Sequence, residues 1–244
     1  MKLTKISNLE TRKKYFTNTN YKFNLHKRLE RIKKYINLNS KILEIGSGSG
    51  LIKNIINKNI VTSDIVKNQY IDLIFDMDRT NISNNLKSYF DIIIFNHSLH
   101  HSKNPIKVIK KIKLMLKKNG IVFINEPETS IIFKVFLTIF QHERYDDKYD
   151  VKKKNFWFKN NSTGKILFQN KKQDQIFMKN YKILENKLSE FLIFLNSGGG
   201  GVKAPYIRLN NFFLTLLYKL DNLLIKIFPR VFALNRTIVL LKIK

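Results

Sequence analysis

The sequence predicts a doubly wound, mostly parallel α/β sheet, and three observations carry that expectation. Short β-branched runs alternate with helical patterns between residues 41 and 128. The first run ends in a glycine-rich turn that opens a helix, Gly46-Ser47-Gly48-Ser49-Gly50. A later run, Phe90-Asp91-Ile92-Ile93-Ile94-Phe95, is apolar enough to be buried on both faces, as strands of parallel sheets are.

In chain order, residues 1–39 are basic and polar with one helical stripe, Leu25, Leu29, Ile32 and Ile36, which predicts an N-terminal helical cap. Residues 40–128 form the predicted core. Lys41 to Ile45 is its first strand, Leu51 to about Asn57 a short helix, Ile60 to Asp64 the second strand and Tyr70 to Phe75 the third. The gap between strands two and three is too short for a normal helix, so that crossover is expected to be abbreviated. Phe90 to Phe95 is the fourth strand. A helix then opens at Asn104-Pro105, a capping residue followed by a proline at the first position, and is expected to end at Gly120. Its stripe is Ile106, Ile109, Ile112 and Met115, with Lys117 and Lys118 complementing the C-terminal dipole. Ile121 to Ile124 is the fifth strand. Residues 129–244 read as a C-terminal cap or insert plus the last strands, Tyr181–Glu190 and Arg236–Ile243, giving seven in all.

Composition bounds the function. With 43% hydrophobic residues the 244-residue chain can bury a full core, and with no cysteine it offers neither disulfides nor thiolate zinc sites nor a Cys nucleophile. No metal site is expected. The formal charge of +27 suggests nucleic acid or anionic lipid, yet Arg supplies only 8 of the 45 basic residues while Asn occurs 28 times and Ala twice. That bias reads as codon composition, since phosphate readers favour the Arg fork. No apolar run is long enough for a transmembrane helix, and the start lacks the apolar region of a signal peptide, so a cytoplasmic location is expected.

The glycine turn delivers a strand into a helix, where backbone approaches a ligand and helix N–H groups meet its polar end. Asp64 closes strand two, where a carboxylate can accept from both hydroxyls of a ribose. Asp76 follows strand three, placed for an adenine amino group, and Asn96 follows strand four beside the topological switch point. A turn-forming role for Asp76 and Asp78 is the open alternative.

Taken together, these residues resemble the class I S-adenosylmethionine-dependent methyltransferases, in particular the type 11 small-molecule group. The resemblance rests on Glu44 to Gly50, Asp64, Phe75 to Asp78, Asp91 to Ile94, Ser98 to His101, Leu116 to Gly120 and Glu126-Pro127, and it spans roughly residues 38–128. More loosely, His142-Glu143, Ser162 to Gly164 and Ser197 to Gly199 resemble a bacterial branch encoded among surface-polysaccharide genes. The sequence departs from the family at Arg79-Thr80-Asn81-Ile82, where Leu-Pro-Phe is usual.

The resemblance implies a Rossmann-like methyltransferase fold with S-adenosylmethionine as cofactor. Glu44, Gly46, Ser47 and Gly48 would frame its methionine and ribose end, Asp64 the ribose diol, Asp76 with Met77 the adenine, and Asn96 the reacting end. The implied reaction is in-line displacement at a sulfonium methyl, onto O or N of a small-molecule or glycan-linked acceptor. His100 and His101 are the candidate general bases, because an imidazole titrates near neutrality; capping or packing beneath the next helix is the alternative. His142 and Glu143 read as a solvated charged face, and Phe156-Trp157-Phe158 as packing of the insert or as a wall of the acceptor pocket.

Leu209 to Phe228 is a long apolar helix pattern with Lys219 and Lys226 between the apolar residues. It fits first a helix packed on the sheet or on a second subunit, with one lying in a membrane interface at the inner face as the alternative. Two rival functions stand beside the main reading. An RNA ribose methyltransferase would use the charge, although the Asn/Asp-Pro-Pro-aromatic signature of base-amine methylation is replaced by Asn96-His97-Ser98-Leu99. A non-catalytic, membrane-associated cofactor-binding module is the other.

Overall fold

A computed structural model of the chain describes residues 2–56, 59–140, 143–149, 159–169, 179–199 and 204–243. His142 and Phe156-Trp157-Phe158 lie outside the described residues.

Seven strands form one sheet in the order β3-β2-β1-β4-β5-β7-β6. They are β1 (Ile42–Ile45), β2 (Ile60–Asp64), β3 (Leu73–Ile74), β4 (Phe90–Asn96), β5 (Leu116–Pro127), β6 (Tyr181–Ser189) and β7 (Asn235–Lys242). β1 to β5 pair in parallel, and β7 runs antiparallel between β5 and β6. The expected doubly wound, mostly parallel sheet is therefore present.

Alternation of side chains along each strand builds a core on both faces. Leu43, Ile45, Ile93, Phe95, Val122 and Ile124 pack against Val108, Ile109 and Ile112 of α4 (Pro105–Ile112). Their neighbours Ile42, Ile92, Ile94 and Phe123 face the other way, onto Leu25 and Leu29 of α2 (Thr19–Glu30) and Ile52 and Ile55 of α3 (Ile52–Ile56). The chain reverses its winding between β1 and β4, where such sheets open a crevice at their carboxyl ends.

Three expectations need correction. The N-terminal segment holds two helices rather than one, because α1 (Lys2–Thr17) precedes α2 and Asn18 caps α2 by accepting from Tyr21 N–H. β3 covers only two residues. The link before it is pinned by Asp72, whose carboxylate accepts the amide (2.8 Å) and hydroxyl (2.9 Å) of Thr62. α4 stops at Ile112, and Gly120 lies inside β5 instead of past a helix end. There Lys117 pairs with Asp91 at 2.8 Å rather than with a helix dipole, and Leu116 pairs with Phe90 of β4. A Cβ on Gly120 would lie 3.0 Å from Lys117 O, so a glycine suits this tight strand entry.

The C-terminal helix forms where it was expected. Between β5 and β7 come α5 (Ile131–Ile139), α6 (Thr163–Gln169), α7 (Leu192–Leu195), α8 (Asn211–Ile227) and α9 (Pro229–Phe232) among the described residues. A third core cluster joins Phe133, Phe136 and Leu137 of α5 with Phe191, Phe194, Ile225, Ala233 and Leu234. α8 contributes only a narrow buried stripe, Leu214, Asp221 and Ile225, although most of its surface is apolar. No helix among the described residues is long and apolar enough to cross a membrane.

Candidate active site

The crevice at the carboxyl ends of β1 to β4 is a cavity of about 870 Å³, lined by all ten residues singled out from the sequence: Glu44, Gly46, Ser47, Gly48, Asp64, Asp76, Met77, Asn96, His100 and His101.

The glycine turn owes its shape to two close approaches. Gly46 has φ +74°, and a Cβ there would sit 2.5 Å from Ser98 Cβ, so the loop after β4 is packed directly on it. Gly46 and Ser47 donate their amides to Ser63 O at 2.9 and 2.8 Å, which locks the turn to the end of β2. Gly48, at φ +49°, donates its amide to Asp64 Oδ2 at 2.8 Å, and Asp64 Oδ1 accepts from Val66 N–H at 3.2 Å. Asp64 thus holds the turn open as well as facing the cavity. α1 covers this end, with Arg12 donating to Ser49 O at 2.9 Å and Asn8 lining the cavity.

Asp76 takes the turn-forming role left open for it. Its Oδ1 accepts the amides of Asp78 (2.8 Å) and Arg79 (3.1 Å), forming the turn, while the residue still lines the cavity beside Met77. Asp78 faces the segment after β4 instead, accepting from Ser102 Oγ at 2.7 Å and from Lys103 N–H.

Two buried oxygens in the cavity wall, Glu44 Oε2 and Asn96 Oδ1, have no hydrogen-bond partner among the described residues. Burial pushes the Glu44 carboxyl up to about 8, and the nearby Asp64 adds to the rise. Unpaired acceptors at such depth are costly unless a ligand supplies donors. Glu44, Asp64, Asp76 and Asn96 together present acceptors to a ligand rich in N–H and O–H groups. An aminoacyl ammonium, a ribose diol and an adenine amino group are such donors, so the residues present fit S-adenosylmethionine.

The same cavity wall also carries histidines. His100 is buried, with Nδ1 2.5 Å from Glu126 Oε2 and Nε2 3.3 Å from Glu143 Oε2. Burial alone would lower its pKa, but the two carboxylates outweigh that and raise it to about 9. His100 is therefore an imidazolium near neutrality with both ring nitrogens engaged, and it has no lone pair for a proton from an acceptor. Glu126 Oε1 accepts the amides of Ser98 (3.1 Å) and Leu99 (2.7 Å), so one carboxylate fixes both the loop after β4 and the imidazolium on it.

His97 was not singled out from the sequence. Its φ of +54° turns it out of the end of β4 into the cavity wall. Burial and the charges of Arg28 and His100 hold its pKa well below the ordinary value, so the ring is neutral. Asn235 Nδ2 donates to Ser189 Oγ at 3.2 Å, so Asn235 Oδ1 accepts from His97 Nε2 at 3.0 Å. That leaves Nδ1 with the lone pair. The local signal was available, since any polar residue just past β4 falls at the switch point.

Glu143 also lies in the cavity wall, not on the solvated face expected for it. Asn161 Nδ2 donates to its carbonyl at 3.1 Å, and Asp147 ties the same segment to α5 and α6 through Lys134 Nζ (2.5 Å) and Lys165 Nζ (2.9 Å). Those ties span distant parts of the sequence and leave no local pattern. Arg28 reaches the cavity from α2 through a bidentate pair with Glu190, at 2.7 and 2.6 Å.

A doubly wound sheet with an acceptor-lined crevice at its carboxyl ends defines an α/β protein that binds a ligand at its topological switch point. Comparison with known proteins gives the class more narrowly. The profile of a methyltransferase domain family matches residues 16–174. The chain belongs to that family, in agreement with the resemblance carried by residues 38–128. Among solved structures, a SAM-dependent methyltransferase from Archaeoglobus fulgidus is 13% identical at a TM-score of 0.51, covering 89% of this chain and 92% of its own. A protein from Pyrococcus horikoshii is 11% identical at a TM-score of 0.52, covering 93% and 92%. At such identities these two structures bear on the fold, which they share. No curated protein matches the chain.

Proposed function

We propose that the chain transfers a methyl group from S-adenosylmethionine to oxygen or nitrogen of a small-molecule or glycan-linked acceptor on the cytoplasmic side of the membrane. The observation that carries this reading is one cavity whose wall holds both the unpaired acceptors of Glu44 and Asn96 and a neutral histidine beside a fixed imidazolium. When bound, the cofactor supplies an electrophilic methyl on a sulfonium.

Glu44 accepts from the donors of its methionine and ribose portion, Asn96 lines the reacting end, Asp64 accepts from the ribose hydroxyls, and Asp76 with Met77 holds the base. Much of the rate then comes from holding the acceptor in line with the methyl, with proton removal needed only for a protonated acceptor. His97 Nδ1 accepts that proton. His101 lines the same cavity and orients the acceptor. His100 acts through Glu126 and Glu143 as a positioning residue. Phe133, Phe136 and Phe194 form an apolar wall that suits the non-reacting part of an acceptor and excludes water.

Transfer of labelled methyl into separated envelope, RNA and small-metabolite fractions tests the reading. Label in the envelope or metabolite fraction is expected; label confined to RNA would replace the acceptor class by ribose hydroxyls. His97→Asn should cut the transfer while S-adenosylhomocysteine still binds.

A further inference from the structure

α8 carries a second apolar stripe on the side away from the core. Phe212, Leu216, Leu220, Leu223 and Ile227 recur at spacings of four, four, three and four, so they align along one face of the helix. All five are exposed, from 42% at Leu220 to 72% at Phe212. The buried residues Leu214, Asp221 and Ile225 lie on the opposite face. α5 repeats the arrangement. Ile131, Val135 and Ile139 follow one another at spacings of four and are more than half exposed, while Phe133, Phe136 and Leu137 enter the core.

The third cluster takes Phe133, Phe136 and Leu137 of α5 and Ile225 of α8 and includes none of the outward residues. A surface this apolar on a soluble monomer marks an interaction site. Its charge identifies the partner. Lys219 is three residues from Leu216 and four from Leu223, and Lys226 is three from Leu223, so both cations flank the stripe. Arg208 and Arg230 are exposed just before and just after the helix. The only acid on α8, Asp221, is buried, its carboxylate taken by the amides of Phe191, Leu192 and Ile193. The whole chain carries +27, which opposes close pairing of two copies, and RNA would leave the apolar stripe uncovered.

We propose that the outward faces of α8 and α5 seat the protein on an anionic bilayer surface, with the apolar stripe in the interface and Lys219 and Lys226 reaching up to the headgroups. The attachment is peripheral, since no described helix can span the bilayer. It places Phe133 and Phe136, which line the cavity, on the same helix as a membrane-facing stripe. The proposal stands on this surface alone and holds for any acceptor.

Co-sedimentation of the full chain with phosphatidylcholine vesicles, with and without phosphatidylglycerol, tests it. Binding to the anionic vesicles is expected. A Leu216→Glu/Leu223→Glu variant should lose it at least tenfold, and Lys219→Gln/Lys226→Gln should lose roughly tenfold to thirtyfold on anionic vesicles. All four positions are exposed, so an unchanged melting curve and unchanged S-adenosylhomocysteine binding serve as folding controls. Three results would overturn the proposal: no binding to either vesicle, anionic binding untouched by the leucine substitutions, or a light-scattering dimer that those substitutions dissolve without any lipid binding.

Discussion

His100 Nδ1 lies 2.5 Å from Glu126 Oε2, and the other oxygen of Glu126 holds the amides of Ser98 and Leu99. The pair joins loop geometry to charge. Because the folded pKa of His100, about 9, lies above its ordinary 6.5, the stability it contributes is complete below pH 6.5 and is lost as pH rises through 9. Denaturant unfolding across that window should show a falling midpoint, and Glu126→Gln should flatten the fall while lowering stability at every pH. A wild-type midpoint that stays level through this range would show that the ring is neutral in the folded protein.

Glu44 should make ligand binding proton-linked. Its folded pKa of about 8 against an ordinary 4.5 means the native carboxyl stays protonated where the unfolded one is ionised. Its share of stability is therefore present below pH 4.5 and declines as pH rises toward 8. A cationic amino group arriving beside Oε2 favours the carboxylate, so S-adenosylhomocysteine binding near neutral pH should release a proton. Calorimetry in two buffers of different ionisation heat measures that release directly. Glu44→Gln should abolish it, and a wild type that releases nothing would mean that Glu44 meets no cation.

Gly46→Ala should destabilise the fold by about 2 kcal/mol or more, because it puts a Cβ at positive φ and against Ser98. Urea unfolding provides the check. A Ser98→Gly/Gly46→Ala double variant should recover the steric part alone, leaving the backbone part in place.

Under the proposed ribose contact, Asp64→Ala should weaken S-adenosylhomocysteine by about 1–3 kcal/mol, and it also frees the Gly48 amide. Isothermal titration reads the change. Unchanged affinity would overturn the assignment of the ribose site.

Local patterns made the central strands and the turn legible. β1 and β4 are apolar on both faces, and only glycine fits where Gly46 meets Ser98, so Glu44, Gly46, Asp64 and Asp76 could be placed from their order alone. Long-range partners hid the rest. α1 has almost no apolar stripe and closes the cavity through Arg12 and Asn8. Leu116 and Lys117 continue a helical pattern but are drawn into β5 by Phe90 and Asp91, on a strand more than twenty residues earlier. Glu143 sits in a charged run whose position is set by Asn161 and Asp147. His100 was a natural candidate base by type, and only its two carboxylate neighbours show that it is held charged.

Asp221 is the clearest case of a residue whose role depends on distant backbone. In a helix that reads as apolar it is buried, and its two oxygens accept the amides of Phe191, Leu192 and Ile193 at 2.9–3.1 Å. These are orphan donors at the start of α7, so the carboxylate ties α8 to the segment that carries Phe194 into the cavity wall. Burial raises the pKa of Asp221 to about 6 despite those bonds. Asp221→Ala leaves three buried amides without an acceptor and should cost about 3 kcal/mol or more. Asp221→Asn keeps the shape and one acceptor oxygen, so it should fall between the two. Denaturant unfolding of the three proteins gives the order, and hydrogen exchange at residues 191–193 gives the location. Equal stability of wild type and Asp221→Ala would mean that α7 is held by the apolar contacts of the third cluster alone.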